Sequence, residues 1–156
     1  MAAGSWTLNG NFALVSLLIY AQQILKLKGT PVDILAAPGA GKAIIPVSVA
    51  VSLQFKTTPF QNAGLGTDLP LDSQAALCYF GPSLYPAFSL GNSFYDLLLS
   101  TQDSVQVLTS AAQAVLPRGE IENRPLVLCN TDAHAADFLN GDSNLLLSLL
   151  YATVNL

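Results

Sequence analysis

The clearest chemical pattern in the chain is a glycine-rich loop that ends in lysine. Pro38–Ala43 reads PGAGKA, which is similar to the loop that holds nucleotide phosphates in P-loop proteins. That loop also needs a glycine five residues before its last glycine and a hydroxyl directly after the lysine, and this chain has Ala36 and Ala43 there. It must also lead into a helix, whereas a strand pattern follows here. We therefore predict a β-turn without a nucleotide.

The only histidine lies between two aspartates and could belong to a metal site. Asp132, His134 and Asp137 are spaced so that an imidazole and two carboxylates could surround one ion. No second cluster completes the set, and no Gly-x-Ser-x-Gly motif supplies a nucleophile for a hydrolytic triad. We expect a solvated loop histidine. The alternative is a metal-dependent or sugar-modifying enzyme that uses these three residues.

The remaining reactive side chains do not form a catalytic set either. Glu120 and Glu122 are flanked by Arg118 and Arg124, which predicts an exposed, charge-balanced loop or edge strand. The two cysteines, Cys78 and Cys129, lack the paired spacing of a zinc site or a redox motif, so we expect reduced, packed thiols. We therefore predict no catalytic, cofactor-binding or metal-binding residues and no enzymatic activity.

An aromatic-rich segment from Tyr79 to Tyr95 offers a second kind of site. Its prolines and glycine predict a long loop, and aromatic rings on such a loop could stack on a sugar. The other interpretation is that the rings pack beneath the loop, which we favour. The aromatic residues are Tyr79, Phe80, Tyr85, Phe88, Phe94 and Tyr95.

The composition is unusually apolar. Hydrophobic residues make up 51% of the 156 residues and charged residues 10%, where about 25% charged is typical. Phe12–Ala21 is too short to span a bilayer and no signal-peptide pattern is present, so we expect a chain that is made in the cytoplasm and does not enter a membrane. A net charge of −4 with scattered basic residues disfavours nucleic acid. Protein must then cover the apolar surface, which predicts an obligate oligomer.

Strand patterns dominate the chain. Ala43–Phe55 alternates apolar residues with small or polar ones and predicts a long strand whose second face suits contact with another chain. Asn144–Leu156 is apolar on both faces, so both faces require burial. Further predicted strands are Pro31–Ala36, a bulged run from Leu69 to Tyr79, Ser104–Thr109 and Leu126–Cys129.

Helix is the minor element. Asn92 could cap a short helix that buries Phe94, Leu97 and Leu98, and a second helix could run through Leu17, Ala21, Ile24 and Lys28. Several short strands with Gly, Pro and Asn turns predict a mainly β chain: an antiparallel, jelly-roll-like sandwich with one or two short helices. We predict a single domain over residues 1–156, with residues 1–28 as an N-terminal arm or helix packed on it.

Two blocks resemble small structural proteins from the head gene clusters of tailed bacteriophages. They comprise turn and strand patterns at Ile24–Leu27, Thr30–Leu35, Ala37–Ile44, Asn123–Leu128, Gly141–Leu145 and Tyr151–Leu156. The resemblance implies a capsid cement or decoration protein, jelly-roll-like and homotrimeric, with a dimer as the alternative. It would lie on the capsid surface of the virion and bridge the major capsid protein of neighbouring capsomers. A head-fibre or tail-fibre module that binds a host-surface glycan is the other implied role.

Overall fold

The computed structural model describes residues 11–62, 75–82, 84–89, 96–109, 117–130 and 138–156. Strands dominate these residues, and short helices lie between them. The helices are α1 (Ala21–Ile24), α2 (Arg118–Ile121) and the helical residues 96–98. The strands are β1 (Asn11–Ile19), β2 (Val32–Leu35), β3 (Lys42–Gln54), β4 (Phe60–Asn62), β5 (Ala75–Phe80), β6 (Leu84–Ser89), β7 (Ser104–Thr109), β8 (Leu126–Asn130), β9 (Phe138–Asn140) and β10 (Asn144–Asn155).

Eight of the strands form two four-stranded antiparallel sheets. Sheet I has the order β1-β10-β3-β7, sheet II has the order β2-β8-β5-β6, and β4 pairs separately with β9. If β4 and β9 are left out and the other strands are numbered along the chain, the orders are 1-8-3-6 and 2-7-4-5. The mainly β, antiparallel fold predicted from the sequence is thus confirmed.

The two sheets pack face to face over one hydrophobic core. Sheet I contributes alternate residues of β3 and β10, among them Val49 and Leu147, and sheet II contributes Leu77 and Leu128. Tyr79 links the sheets directly, because its buried hydroxyl donates a hydrogen bond to the carbonyl oxygen of Ile44. Burial raises the pKa of Tyr79 to about 12. The phenol therefore stays neutral and available as a donor at ordinary pH.

Sheet II is covered on both of its sides, at least along β5 and β8. All five residues of β8 are buried, as expected for a strand with protein on both faces. Its core-facing residues join the main cluster. On its other side, a second and separate cluster of buried residues consists of Ala76, Cys78, Val127 and Cys129.

A bulge in β3 changes which side chains face the core. The pairing with β10 shifts between Leu150 and Tyr151, and Val47 is left without a partner residue. Val49 and Leu53 face the core as the alternation predicted, whereas Ile44, rather than Ile45, is buried before the bulge. A single extra residue in a strand moves the side chains that follow it to the opposite side of the sheet. The uniform alternation predicted for the whole strand is therefore wrong before Val47.

The other predicted strands agree with the structure where it describes them. Strands β2, β7, β8 and β10 lie where they were predicted, and β8 begins directly after Pro125. In the run predicted from Leu69, residues 75–80 form β5, with a register shift between Leu77 and Cys78. The first part of that run lies outside the described residues.

The helix predicted through Leu17, Ala21, Ile24 and Lys28 is too long at both ends, and four strands were not predicted. Leu17 belongs to β1 rather than to a helix, because β1 pairs along its whole length with β10. The helix itself is confined to α1. The backbone amide of Ala21, the first residue of α1, donates a hydrogen bond to Oδ1 of Asn144 at 3.2 Å. Sequence patterns also missed β4, β6 and β9. In β6 the signal is obscured by Pro86, which this strand tolerates because its described pairing is with β5 alone.

The helix predicted to begin after Asn92 is partly observed. Residues 96–98 are helical, and Leu97 and Leu98 are buried as expected. The predicted cap Asn92 and its neighbour Phe94 lie outside the described residues.

The loop after β3 is fastened by one carboxylate from the β9–β10 connection. Asp142 accepts hydrogen bonds from the backbone amides of Thr57 and Thr58 at 3.1 and 2.9 Å, and from the Thr57 hydroxyl. The Thr57 hydroxyl and these two amides hold the pKa of Asp142 down, at about 2. The long strands β3 and β10 are thereby joined at their ends as well as along their lengths.

Candidate interaction surface

The glycine-rich loop has the geometry of a β-turn, as predicted. Gly39 and Gly41 have φ values of +100° and +71°, and the amide of Lys42 donates to the carbonyl oxygen of Gly39 at 3.2 Å. The chain then enters β3, not a helix. The turn connects β2 in sheet II to β3 in sheet I, so it carries the chain from one layer to the other.

Side chains from the end of α2 already bond the amides of this loop. Asn123 Oδ1 accepts from the Gly39 amide at 2.9 Å, and Glu122 Oε1 accepts from the Gly41 amide at 2.9 Å. A phosphate would need such amides free, because backbone N–H groups are what cradle it in nucleotide-binding loops. The loop therefore fastens two parts of the fold together.

Glu122 is itself held by an ion pair with Arg118, whose Nε lies 2.7 Å from the Glu122 carboxylate. The hydrogen bond to Arg118 lowers the pKa of Glu122, and the bond from the Gly41 amide adds to this effect. The segment expected to be a charge-balanced loop or edge strand is thus the short helix α2 with an i, i+4 pair; the edge-strand alternative is wrong. The Glu122 carboxylate is thus bonded to both the Arg118 guanidinium and the Gly41 amide.

The candidate metal residues Asp132, His134 and Asp137 lie outside the described residues. Within the described part of the chain, no three His, Cys, Asp or Glu side chains converge on a common point. Two hollows of about 340 and 450 Å³ flank α1. Each is lined by one lysine and one aspartate among neutral residues.

The described part of the aromatic segment, residues 79–82 and 84–89, contains strands where a loop was predicted. Tyr79 and Phe80 belong to β5 and Tyr85 belongs to β6, so these residues form a hairpin. Tyr79 is completely buried and cannot stack on a sugar, whereas Phe80 is exposed. Phe94 and Tyr95 lie outside the described residues, as does the side chain of Phe88.

The cysteines, which lie 51 residues apart in sequence, meet on sheet II. Both are buried free thiols, as expected, and their Sγ atoms are 3.0 Å apart. The hydrogen bond with Cys129 raises the pKa of the Cys78 thiol, and burial raises it further. Cys78 is therefore a poor nucleophile, because its reactive thiolate is scarce.

The most unusual surface in the structure is the side of sheet I that faces away from the core, which we call the outer face of sheet I. Strand register places three rows of neighbours on it, and Phe12 follows the third row on β1. The rows are Leu18, Leu146, Ser52 and Val105; Ser16, Ser148, Ala50 and Val107; and Leu14, Leu150, Ser48 and Thr109. None of these residues is charged.

Much of this face is exposed and apolar. The exposed fractions are 50% for Phe12, 70% for Leu14, 40% for Leu18, 37% for Leu146, 69% for Val105 and 68% for Val107. At roughly 150–200 Å² for a free apolar side chain, these six residues expose about 600 Å². That is at the upper end of the apolar patches that monomers leave in water, so the face is a candidate site of contact with another protein.

Sequence patterns had indicated only the centre of this face. The small, uncharged second side of β3 and the two-sided character of β10 were visible as period-two alternation. The flanking columns were not assigned to it: β1 was not predicted as a strand, and β7 was predicted as a strand with Val105 and Val107 on one side but without a partner in a sheet. The sequence of β1 contains no such alternation, because Leu14 and Leu18 on one side and Val15 and Leu17 on the other are all apolar.

Comparison of the chain with protein-family models, with curated proteins and with solved structures finds no match. Among the residues that the structure describes, no helix combines the length and the apolar character needed to cross a membrane.

Proposed function

We propose that this chain is a structural virion protein: a cement or decoration protein that assembles as a homo-oligomer and stabilises a bacteriophage head by bridging its capsomers. The observation that carries the proposal is the outer face of sheet I. A face with about 600 Å² of exposed apolar side chain and no charge is suited to protein contact. Such a role requires buried area and shape rather than an active site.

The strand order gives independent support. Eight antiparallel strands arranged 1-8-3-6 and 2-7-4-5 in two packed sheets have the order of a jelly roll, an architecture used by viral capsid domains. The same architecture also serves lectins and cupins, so the fold alone does not choose a role. The phage-like blocks Thr30–Leu35 and Ala37–Ile44 contribute β2, the glycine turn and the start of β3, which places part of the resemblance on the framework of the sandwich.

The described parts of the candidate chemical sites also favour a structural role. The glycine loop has its amides bonded by Glu122 and Asn123, and the ring of Tyr79 is buried in the core. These contacts stabilise the fold and leave no nucleotide cradle and no sugar platform at those positions. A glycan-binding fibre module has less support. Tyr79, one of the aromatic residues proposed to stack on a sugar, is buried, whereas Phe80 is exposed.

The test is the number and position of copies in purified virus particles. Quantitative mass spectrometry should find the chain in numbers similar to those of the capsomers, and particle imaging should place it across the shell. Particles assembled without it should release DNA at a lower temperature than complete particles. A handful of copies at one vertex would identify a fibre instead, and complete absence from particles would refute a virion role.

A further inference from the structure

We infer that the outer face of sheet I is where two copies of this chain meet, related by a two-fold axis that runs parallel to the strands between β10 and β3. The inference rests on the proposed homo-oligomer and names its contact surface and symmetry. It selects the dimer, which was the alternative to the trimer that the phage resemblance implies.

Charge is the first argument for a second copy as the occupant. Every described residue on the face is neutral, although the chain has ten acidic and six basic residues elsewhere. An acidic or basic partner would have to bury its charges here without a counter-charge, which is costly. The same face of another copy brings no charge and has the same apolar composition.

Area is the second argument. Two copies of the face bring together about 1,200 Å² of apolar side chain, at roughly 150–200 Å² for each free side chain. Specific interfaces bury upwards of about 1,000 Å² in total. The apolar side chains of the two faces therefore reach the lower end of the range of about 1,200–2,000 Å² that stable interfaces bury.

The arrangement of large and small side chains on the face is the third argument, and it determines the symmetry. The column on β10 carries two bulky residues, Leu146 and Leu150, whereas the neighbouring column on β3 consists of Ser48, Ala50 and Ser52. A two-fold axis along the strands between these columns places β10 of each copy over β3 of the other, with rows in register. Leu146 then lies over Ser52 of the partner and Leu150 over Ser48, so large side chains face small ones.

In the outer columns, the axis places β1 of each copy over β7 of the other. Ser16, which is small, then faces Val107, and the two apolar residues Leu18 and Val105 face each other. A two-fold axis across the strands would instead place β10 over β10, where leucine meets leucine and serine meets serine, leaving a clash beside a gap. Side-chain volume therefore favours the axis parallel to the strands.

The experiment uses Ser16 and Val107, which lie in one row on the two edges of sheet I. They are three strand spacings, about 14 Å, apart within one copy, but they face each other between copies. The variants are Ser16→Asp, Val107→Lys and the double variant of the full-length chain. Leu139→Lys is the matched control, since Leu139 is 50% exposed but lies on β9.

Analytical ultracentrifugation should find the wild-type chain and Leu139→Lys at the mass of two chains at micromolar concentration. Each single variant on the face should raise the dissociation constant by about a hundredfold, because it buries an unpaired charge in an apolar contact. The double variant should recover to within about tenfold of wild type, since its aspartate and lysine can pair only across the interface. Circular dichroism and the unfolding midpoint should show that all variants are folded.

Three results would overturn the inference. These are a wild-type mass of one or three chains, single variants that remain dimeric, and a double variant that dissociates as readily as the single ones. The proposed function fails separately, by the absence of the wild-type chain from particles. A dimer with the predicted charge pairing and no place in a virion would leave the inference intact and refute only the proposed function.

Discussion

The glycine at position 141, in the connection between β9 and β10, is the most sensitive position for a small substitution in the described structure. Its φ is +79°, and a Cβ built there would lie 2.6 Å from Cε1 of Phe60 and still closer to Cδ1. Phe60 cannot easily move, because it is buried and packs edge-to-face on Phe138 with ring centroids 6.4 Å apart. Gly141→Ala therefore combines backbone strain with overpacking.

The magnitude follows from these two effects. The left-handed conformation costs an alanine about 1–2 kcal/mol. Forcing a methyl group against a fixed ring costs about 1–3 kcal/mol more. Gly41→Ala is the matched control, because Gly41 has a φ of +71° but nothing lies within 4 Å of its added Cβ. We expect a total loss of about 2–5 kcal/mol at position 141 and about 1–2 kcal/mol at position 41.

The assay is urea unfolding of both variants at one protein concentration, with unchanged slopes as evidence that only stability has changed. A double-mutant cycle adds the cause: in a Phe60→Leu background, Gly141→Ala should cost less than it does alone. Equal losses at positions 41 and 141 would refute the overlap with the ring, since backbone strain is common to both.

Three further predictions concern Tyr79, Asp142 and the two cysteines. Tyr79→Phe should lower the free energy of unfolding by about 1–2 kcal/mol in urea titrations, because it removes the hydrogen bond to the Ile44 carbonyl. Since the pKa of Tyr79 is raised to about 12, its contribution to the free energy of unfolding is complete below pH 10 and is lost as pH rises towards 12. A Tyr79→Phe variant with wild-type stability and the same alkaline unfolding curve would contradict this. Asp142 has a pKa lowered to about 2, so its contribution to stability is present above about pH 4 and is lost as pH falls to 2. The variant Asp142→Asn should be less stable at pH 7, and its free energy of unfolding should change less between pH 4 and pH 2. If the stability curves of variant and wild type run parallel over that range, the bonds to residues 57 and 58 are excluded. The two buried thiols should react with an aromatic disulfide reagent only after denaturation, and rapid labelling of the folded chain, measured by absorbance, would show that sheet II is not covered as described.

Sequence patterns were most informative where the signal is local. Alternation from Val49 to Leu53 predicted the face of β3 that packs in the core, because side chains of a strand point to opposite sides in turn. The run of proline and glycine from Pro38 to Gly41 correctly predicted a turn. Each of these conclusions depends on the spacing of a few neighbouring residues.

The outer face of sheet I depends on more than local spacing. Leu14 and Val15 are both apolar, so the sequence of β1 does not choose between helix and strand or between the two faces of a strand; pairing with β10, more than 120 residues away, makes that choice. Likewise, the small column on β3 and the valines of β7 become one surface only through the register of Ser52 with Val105. The amino-acid sequence by itself determined the predominance of strands, the lack of charge along β3 and β10, and the turn at Gly39. Only the tertiary structure decided which strands are neighbours, because alternation specifies a face of one strand, whereas the partner across a sheet is selected by long-range pairing and core packing.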